Sequence, residues 1–170
     1  MNRKPRHLFS KEWTPLRAEI EQVCQKLSIP ANDFQPLKIT EWKTIDQTIA
    51  QKFFARNTCQ GNWRLWDELS QESYSLLFKG DFFNHLEWLL TTTEDVYFFT
   101  GETINEQTKY WFYQGNIGPI TRIIAETHNL GEYFLVSKKY DWLLCYNFYS
   151  LIGCGSIVPL MISNKEKFIL

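Results

Sequence analysis

The sequence has no long apolar run, and no stretch approaches the roughly 20 consecutive apolar residues that a membrane-spanning helix needs. It also lacks an excess of either charge, because 18 basic and 19 acidic residues leave a net charge of −1. Proteins dedicated to DNA or to membrane surfaces usually carry a basic excess. The sequence therefore predicts neither a nucleic acid nor a membrane as its partner.

Cysteine and histidine are scarce and scattered. The four cysteines are Cys24, Cys59, Cys145 and Cys154. They include no C-x-x-C pair, and the three histidines are also far from one another in the sequence. A zinc site needs closely spaced ligands, so we expect no metal and no other cofactor. The charged start at residues 1–7 is not followed by the apolar segment of a signal peptide, so we expect a cytoplasmic protein with free thiols.

The standard catalytic motifs are absent as well. There is no P-loop, no G-x-S-x-G, no H-E-x-x-H and no dinucleotide-binding glycine pattern. The nearest alternative is Cys154, whose flanking glycines could expose the thiol on a tight turn, with His85 or His128 to activate it. The same residues are also typical of a strand end where the thiol fills a small apolar space. We predict a protein that is not an enzyme, with a cysteine-dependent hydrolase or transferase as the alternative.

Aromatic residues, in contrast, are abundant. They make up 16% of the 170 residues, and hydrophobic residues make up 44%, which is enough for a real core. A chain of this length is most simply one domain that buries about two thirds of its unfolded surface. Residues 1–11 are basic and polar, and we expect them to form a flexible N-terminus of that single domain.

Helical spacing of apolar residues predicts several helices. The clearest begins at 14–15, where Thr and Pro are favoured at a helix start, and continues to about residue 27. Further helices are expected over 46–55, over 82–90 and around 120–124. The first of these helices has a polar face with Arg17, Glu21 and Gln25, as expected for a helix with one side in water.

Strands are predicted where aromatic and β-branched residues cluster or alternate. The predicted strands are 37–40, 73–78, 96–99, 110–113, 133–136, 142–145 and 151–152. The polar segment 100–109 is expected to join two of them as a loop. Together these elements predict one α+β domain, with a mostly antiparallel, aromatic-rich sheet and three to four helices packed on one face.

Residues 60–108 form a stretch that is both acidic and aromatic. The stretch carries nine acidic side chains against Arg64 and Lys79, a local charge balance of −7. Acids beside exposed aromatic side chains could hold a basic protein and speed its association, although each acid could also be ordinary solvated surface. We therefore predict a binding site in this stretch. Its members are Glu94, Asp95, Glu102 and Glu106, with Trp88 and Tyr97 as apolar anchors.

The segment 132–147, EYFLVSKKYDWLLCYN, resembles a pattern of small bacterial proteins. In that pattern a Tyr-x-Leu/Ile-Val strand is followed by a Lys/Asp turn and a Trp-Leu-Leu-Cys strand. The layout of short helices before an aromatic sheet is similar to SUKH-like immunity proteins, which neutralise polymorphic toxins. The resemblance implies a non-catalytic protein that binds and blocks a toxin domain, and the acidic stretch predicts that this domain is basic. An adaptor domain that forms a homodimer through exposed strand edges stays open as a further alternative.

Overall fold

Alternating apolar side chains build a seven-stranded antiparallel sheet at the centre of the fold. The computed structural model describes residues 15–77 and 85–168, and the basic start at 1–11 lies outside them. The helices are α1 (Pro15–Lys26), α2 (Trp42–Phe54), α3 (Ile117–Glu126) and α4 (Val158–Ser163). The strands are β1 (Phe34–Pro36), β2 (Ser73–Leu77), β3 (Asp95–Ile104), β4 (Gln107–Asn116), β5 (Tyr133–Ser137), β6 (Trp142–Tyr146) and β7 (Ser150–Gly155). Their spatial order is β1-β4-β3-β5-β6-β7-β2.

The two faces of the sheet support two separate apolar cores. On one face, Val96 and Phe98 of β3 meet buried side chains of α1, α3 and α4. On the other face, Phe99 of β3 and Phe134 of β5 meet the buried side chains of α2. The separation follows from the alternation of side chains along a strand, which sends neighbours to opposite faces. The predicted α+β class with an antiparallel, aromatic-rich sheet is confirmed.

The expected packing of the helices on one face needs a correction. Three helices, α1, α3 and α4, do share a face, but α2 covers the opposite one. The physical reason is visible in β3, where buried residues run consecutively over Phe98, Phe99 and Thr100. A strand that is apolar at successive positions has two apolar faces, and each face must be covered.

The predicted helices are confirmed where the helical spacing of apolar residues continues over several turns. The predicted helix over 14–27 is confirmed as α1, with Leu16, Ile20 and Val23 buried, although residue 14 lies outside the described residues. The predicted helix over 46–55 begins earlier, at Trp42. Of the predicted helix over 82–90, the described part contains a 3₁₀ turn at His85–Trp88. None of the helices in the described ranges is long and apolar enough to cross a membrane.

Two elements escaped prediction because they are short. Helix α4 has six residues, too few for an apolar period to emerge from the sequence. The strand was expected over 37–40, but the strand in this region is β1, which spans Phe34–Pro36 and ends before the predicted range begins. Proline has no N–H to donate, so it is tolerated at the outer edge of a sheet. The chain leaves the sheet after this residue.

The hairpin of β3 and β4 is much longer than the sequence indicated. The segment 100–109, expected as a loop, pairs in register almost to its centre, where Ile104 lies opposite Gln107. Asn105 and Glu106 form the turn with φ values of 50° and 65°. Positive φ at both central residues matches the twist of antiparallel strands, so a two-residue turn closes the hairpin. Polar side chains here alternate along paired backbone and do not interrupt the strands.

The two outer edges of the sheet differ in how they are protected. Beyond the short β1, the edge of β4 is closed by the side chain of Gln60, which donates Nε2–H to the Tyr110 carbonyl at 3.0 Å and accepts the Tyr110 N–H at 2.9 Å. The N–H groups of Gly61 and Leu37 donate to the carbonyls two residues before and after Tyr110. At the opposite edge, no strand of the described ranges pairs with the outer side of β2.

Candidate functional site

The predicted binding acids lie at both ends of β3. Glu94 and Asp95 lie at its start, whereas Glu102 lies near its end and Glu106 in the turn that follows. At a rise of about 3.3 Å per residue, this strand places its two ends about 30 Å apart. The structure thus brings Glu94 and Asp95 together and separates them from Glu106.

Glu102 is engaged within the molecule. Its Oε1 accepts the Leu16 N–H at 2.9 Å, and its Oε2 accepts the indole Nε1–H of Trp111 at 2.9 Å. The first N–H groups of a helix have no partner inside the helix, so Glu102 supplies one to α1 from a position 86 residues away in sequence. The carboxylate therefore fixes both the start of α1 and the orientation of the Trp111 ring.

Glu106 and Trp88 occupy other parts of the surface. Glu106 is exposed in the turn between β3 and β4. Trp88 is 38% exposed, and its ring lies edge to face against Phe168 with a centroid distance of 5.2 Å. The 3₁₀ turn that carries Trp88 packs against α3, on the side of the sheet opposite to α2.

Asp95 and Tyr97 come together on the face that α2 covers. Lys138 joins them, because its Nζ lies 3.9 Å from the Tyr97 ring centroid and 3.7 Å from Asp95 Oδ2. The same Nζ donates a hydrogen bond of 2.7 Å to Gln114 Oε1. Tyr140 stacks on Tyr97 with a centroid distance of 5.6 Å. A partly exposed aromatic pair therefore lies beside a carboxylate, with a cation over one ring.

An open cavity of about 480 Å³ lies next to these residues, and we call it the Tyr97 cleft. Its lining includes Lys38, Glu41, Thr44, Ile45, Tyr97 and Gln114. Burial raises the pKa of Glu94, and the negative charge of Asp141 acts in the same direction. Burial lowers the pKa of Lys138, and the neighbouring Asp95 carboxylate opposes that effect. Three carboxylates, Glu94, Asp95 and Asp141, thus share this end of the sheet.

A second cleft lies along the edge of β4, and we call it the Trp111 cleft. Its cavity measures about 240 Å³, with walls that include Arg17, Leu37, Ile39, Trp42, Lys109 and Trp111. The guanidinium carbon of Arg17 lies 5.1 Å from the Trp111 ring centroid, and Lys109 Nζ lies 4.3 Å from it. Both distances are typical of cation–π contacts. The cleft therefore combines aromatic walls with two cations.

A partly buried carboxyl group lies under the loop that closes the β4 edge. The phenol oxygen of Tyr110 lies 2.8 Å from Glu132 Oε1 and 3.0 Å from the main-chain carbonyl of Asn62. A phenol has one proton and can donate to one of these acceptors at a time. Burial raises the pKa of Glu132 to about 7, and the hydrogen bond from Tyr110 opposes the shift.

Three of the four cysteines are buried, and Cys24 is partly exposed. Cys154 is fully buried within β7, and burial raises the pKa of its thiol to about 11. Cys59 and Cys145 are also fully buried, and burial raises the pKa of each. Across residues 15–77 and 85–168, no group of three or more His, Cys, Asp or Glu side chains could hold a metal ion. The geometry therefore does not favour the cysteine-dependent alternative.

Comparison with known proteins relates the whole fold to one family. A family model matches residues 12–166. The chain therefore belongs to DUF6756, a family of unknown function. No curated protein and no solved structure matches the chain. The features of this DUF6756 protein that bear on its function are therefore the two clefts and their residues.

The acids of this DUF6756 chain were predicted as binding residues from the sequence, whereas the cations beside the aromatic rings, Arg17, Lys109 and Lys138, were not. A signal existed for Lys109, which lies two residues before Trp111 on the same strand and therefore on the same face. Lys138 belongs to the predicted Lys/Asp turn, but its contact with Tyr97 depends on the pairing of β5 with β3. Nothing in the local sequence placed Arg17 over Trp111, because α1 and β4 meet in tertiary structure.

Proposed function

We propose that this DUF6756 protein is a non-catalytic, cytoplasmic binding protein of the immunity type, which binds and blocks a basic toxin domain. The observation that carries the proposal is the convergence of Asp95 and Tyr97 at the Tyr97 cleft. Two residues chosen from the sequence as binding residues share one surface, with Tyr140 stacked beside them. The resemblance of segment 132–147 to small bacterial proteins agrees with this role.

The chemistry of the Tyr97 cleft suits a basic partner. Lys138 already occupies a position over the Tyr97 ring and beside Asp95, which is the arrangement that these groups would offer to a basic side chain of a partner. An incoming Lys or Arg side chain would find the second ring of Tyr140 and the carboxylate of Glu41 next to it. Carboxylates around such a surface raise the association rate through long-range attraction.

Purification of the tagged protein from its own cells tests the proposal. We expect one stoichiometric basic partner at about 50 mM salt that weakens at about 300 mM, because screening reduces the attraction between exposed charges. With that partner in hand, Asp95→Lys should slow association, and Tyr97→Ala should speed dissociation. Glu72→Lys, an exposed acid before β2, is the matched control. Absence of any partner at either salt concentration would contradict the proposal.

The variant Glu106→Lys tests whether the end of β3 near Glu106 also contacts the partner. If the partner contacts only the Tyr97 cleft, reversal at Glu106 should leave the association rate close to that of the wild type. A slowing equal to that of Asp95→Lys would mean that one partner spans both ends of the strand. Glu102 is less suitable for this test, because its carboxylate also holds α1 and Trp111.

A second candidate is a homodimeric adaptor domain, which one observation favours. Strand β2 contains no charged residue, and Leu77 at its end is 72% exposed. Edge strands of monomeric proteins are usually protected by charges or by cover. Light scattering over a concentration series tests this candidate. A mass that stays at one chain at every concentration would exclude it.

A further inference from the structure

The Trp111 cleft has properties that the proposed function does not use. It lies along the β4 edge, and its lining residues Lys109 to Tyr113 pair with residues 98–102 of β3, whereas Asp95 and Tyr97 precede them on that strand. Ile39 on its rim is 86% exposed, the largest exposure of any large apolar side chain in the described residues. An apolar side chain left in water at the mouth of an aromatic cavity gains from a ligand that covers it.

The polar groups left over in the Trp111 cleft are cations. The two oxygens of Glu102 already accept hydrogen bonds from Leu16 and Trp111. The amide of Gln60 uses both its ends on the Tyr110 backbone. These acceptors are therefore already engaged in hydrogen bonds within the molecule.

Lys109 and Arg17 keep donors for such a ligand. Among the described residues Lys109 has no ion pair, and its ammonium contacts the ring of Trp111. Arg17 directs Nε toward Glu21 at 3.5 Å, and within the described part of the chain its terminal nitrogens have no hydrogen-bond partner. An anion that pairs with either cation gains from the attraction between opposite charges. The donor set therefore favours a carboxylate or a similar small anion.

We propose that the Trp111 cleft binds a small anionic molecule with a flat apolar body. The anionic group pairs with Lys109 and Arg17, and the apolar body packs between Trp111 and Ile39. A cavity of about 240 Å³ suits a single ring with a short acidic substituent. Drug-sized ligands usually occupy cavities of about 300–1,000 Å³. This binding activity goes beyond the proposed function and does not depend on it.

A pair of small probes with the same body and opposite charge tests the proposal. Phenylacetate should shift the Trp111 indole N–H signal in a nitrogen-15 correlation spectrum and saturate, whereas phenethylamine should not. The signal is assigned by its loss in Trp111→Phe. Affinity for phenylacetate should fall as salt is added, because the pairing is electrostatic. Equal shifts from both probes, or no shift from phenylacetate at any accessible concentration, would overturn the proposal.

Variants of Lys109 locate the anion. Lys109→Gln should weaken phenylacetate binding by about ten-fold, the loss expected for one charge-assisted hydrogen bond. Lys109→Arg keeps the charge and should keep most of the affinity. Lys52→Gln, an exposed lysine of α2, is the matched control and should bind like the wild type. Unchanged affinity in Lys109→Gln would remove the cleft as the site.

Discussion

Glu102 of β3 and Trp111 of β4 are joined by a hydrogen bond of 2.9 Å from the indole N–H to the carboxylate. The second oxygen of the same carboxylate holds the N–H of Leu16 at the start of α1. One acidic side chain thus ties a strand, an aromatic ring and a helix terminus together. An acid that contributes to the negative charge of residues 60–108 is therefore also a structural residue.

Removal of this carboxylate should destabilise the fold. In Glu102→Ala, the Leu16 and Trp111 donors lose their acceptor, and a donor left unpaired costs about 1–3 kcal/mol. Glu102→Gln keeps one carbonyl oxygen and should lose less. Urea unfolding measures both variants, with Glu72→Ala as the exposed control. Equal stability of Glu102→Ala and Glu72→Ala would show that the two hydrogen bonds contribute little.

The Glu132 carboxyl group should make stability depend on pH. Its pKa of about 7 in the folded chain lies above the ordinary value of 4.5, so between these values the folded state binds more protons than the unfolded state. Stability should therefore fall as the pH rises through this window. Glu132→Gln cannot ionise and should exceed the wild type by about 1–3 kcal/mol at about pH 8.5. Urea unfolding at several pH values measures the difference, and parallel curves would contradict the assignment.

Tyr110→Phe tests the same hydrogen-bond network from the other side. The phenol lowers the pKa of Glu132 by donating to its ionised form. Without the phenol, this pKa should rise further, and the fall in stability should move to higher pH. A carbon-13 titration of the Glu132 carboxyl group measures the pKa directly. A lower pKa in Tyr110→Phe would mean that the phenol stabilises the protonated form instead.

The thiols should differ sharply in reactivity. Burial raises the pKa of all four thiols, but Cys24 is partly exposed, whereas Cys59, Cys145 and Cys154 are buried. Because the thiolate is the reactive form, iodoacetamide should label Cys24 first and the others only on unfolding. Mass spectrometry of the native protein reads this order, and Cys24→Ser should nearly abolish labelling. Rapid labelling of Cys154 in that variant would revive the cysteine-dependent enzyme.

The Gln60 amide should protect the backbone of β4 from solvent. In Gln60→Ala, the Tyr110 N–H loses its acceptor at the sheet edge, so its hydrogen exchange should accelerate by about ten-fold or more. Gln71→Ala is the matched control, because the Gln71 amide binds the Lys52 carbonyl elsewhere. Exchange is followed amide by amide by NMR. Unchanged exchange at Tyr110 would show that other groups close this edge.

The sequence predicted those features that depend on neighbours along the chain. The apolar period of Leu16, Ile20 and Val23 predicted α1, and the pattern of 133–145 predicted the β5–β6 hairpin. The separation of the predicted binding acids between the two ends of β3 could not be predicted, because it depends on how far β3 and β4 remain paired. The role of Glu102 was equally hidden, since its partner Leu16 lies 86 residues away. Local patterns therefore predict the helices and strands, whereas contacts between distant parts of the chain decide which side chains remain available to bind a partner.

The closed edge at Gln60 also limits how many chains can join. Two copies that pair through β2, the longer of the two outermost strands, would use the same edge on each copy, and association would then stop at two. If the β4 edge opened as well, two unlike edges would be available, and chains could add head to tail without a natural end. Gln60, together with the main chain of Gly61 and Leu37, thus covers part of an edge along which further chains could otherwise add.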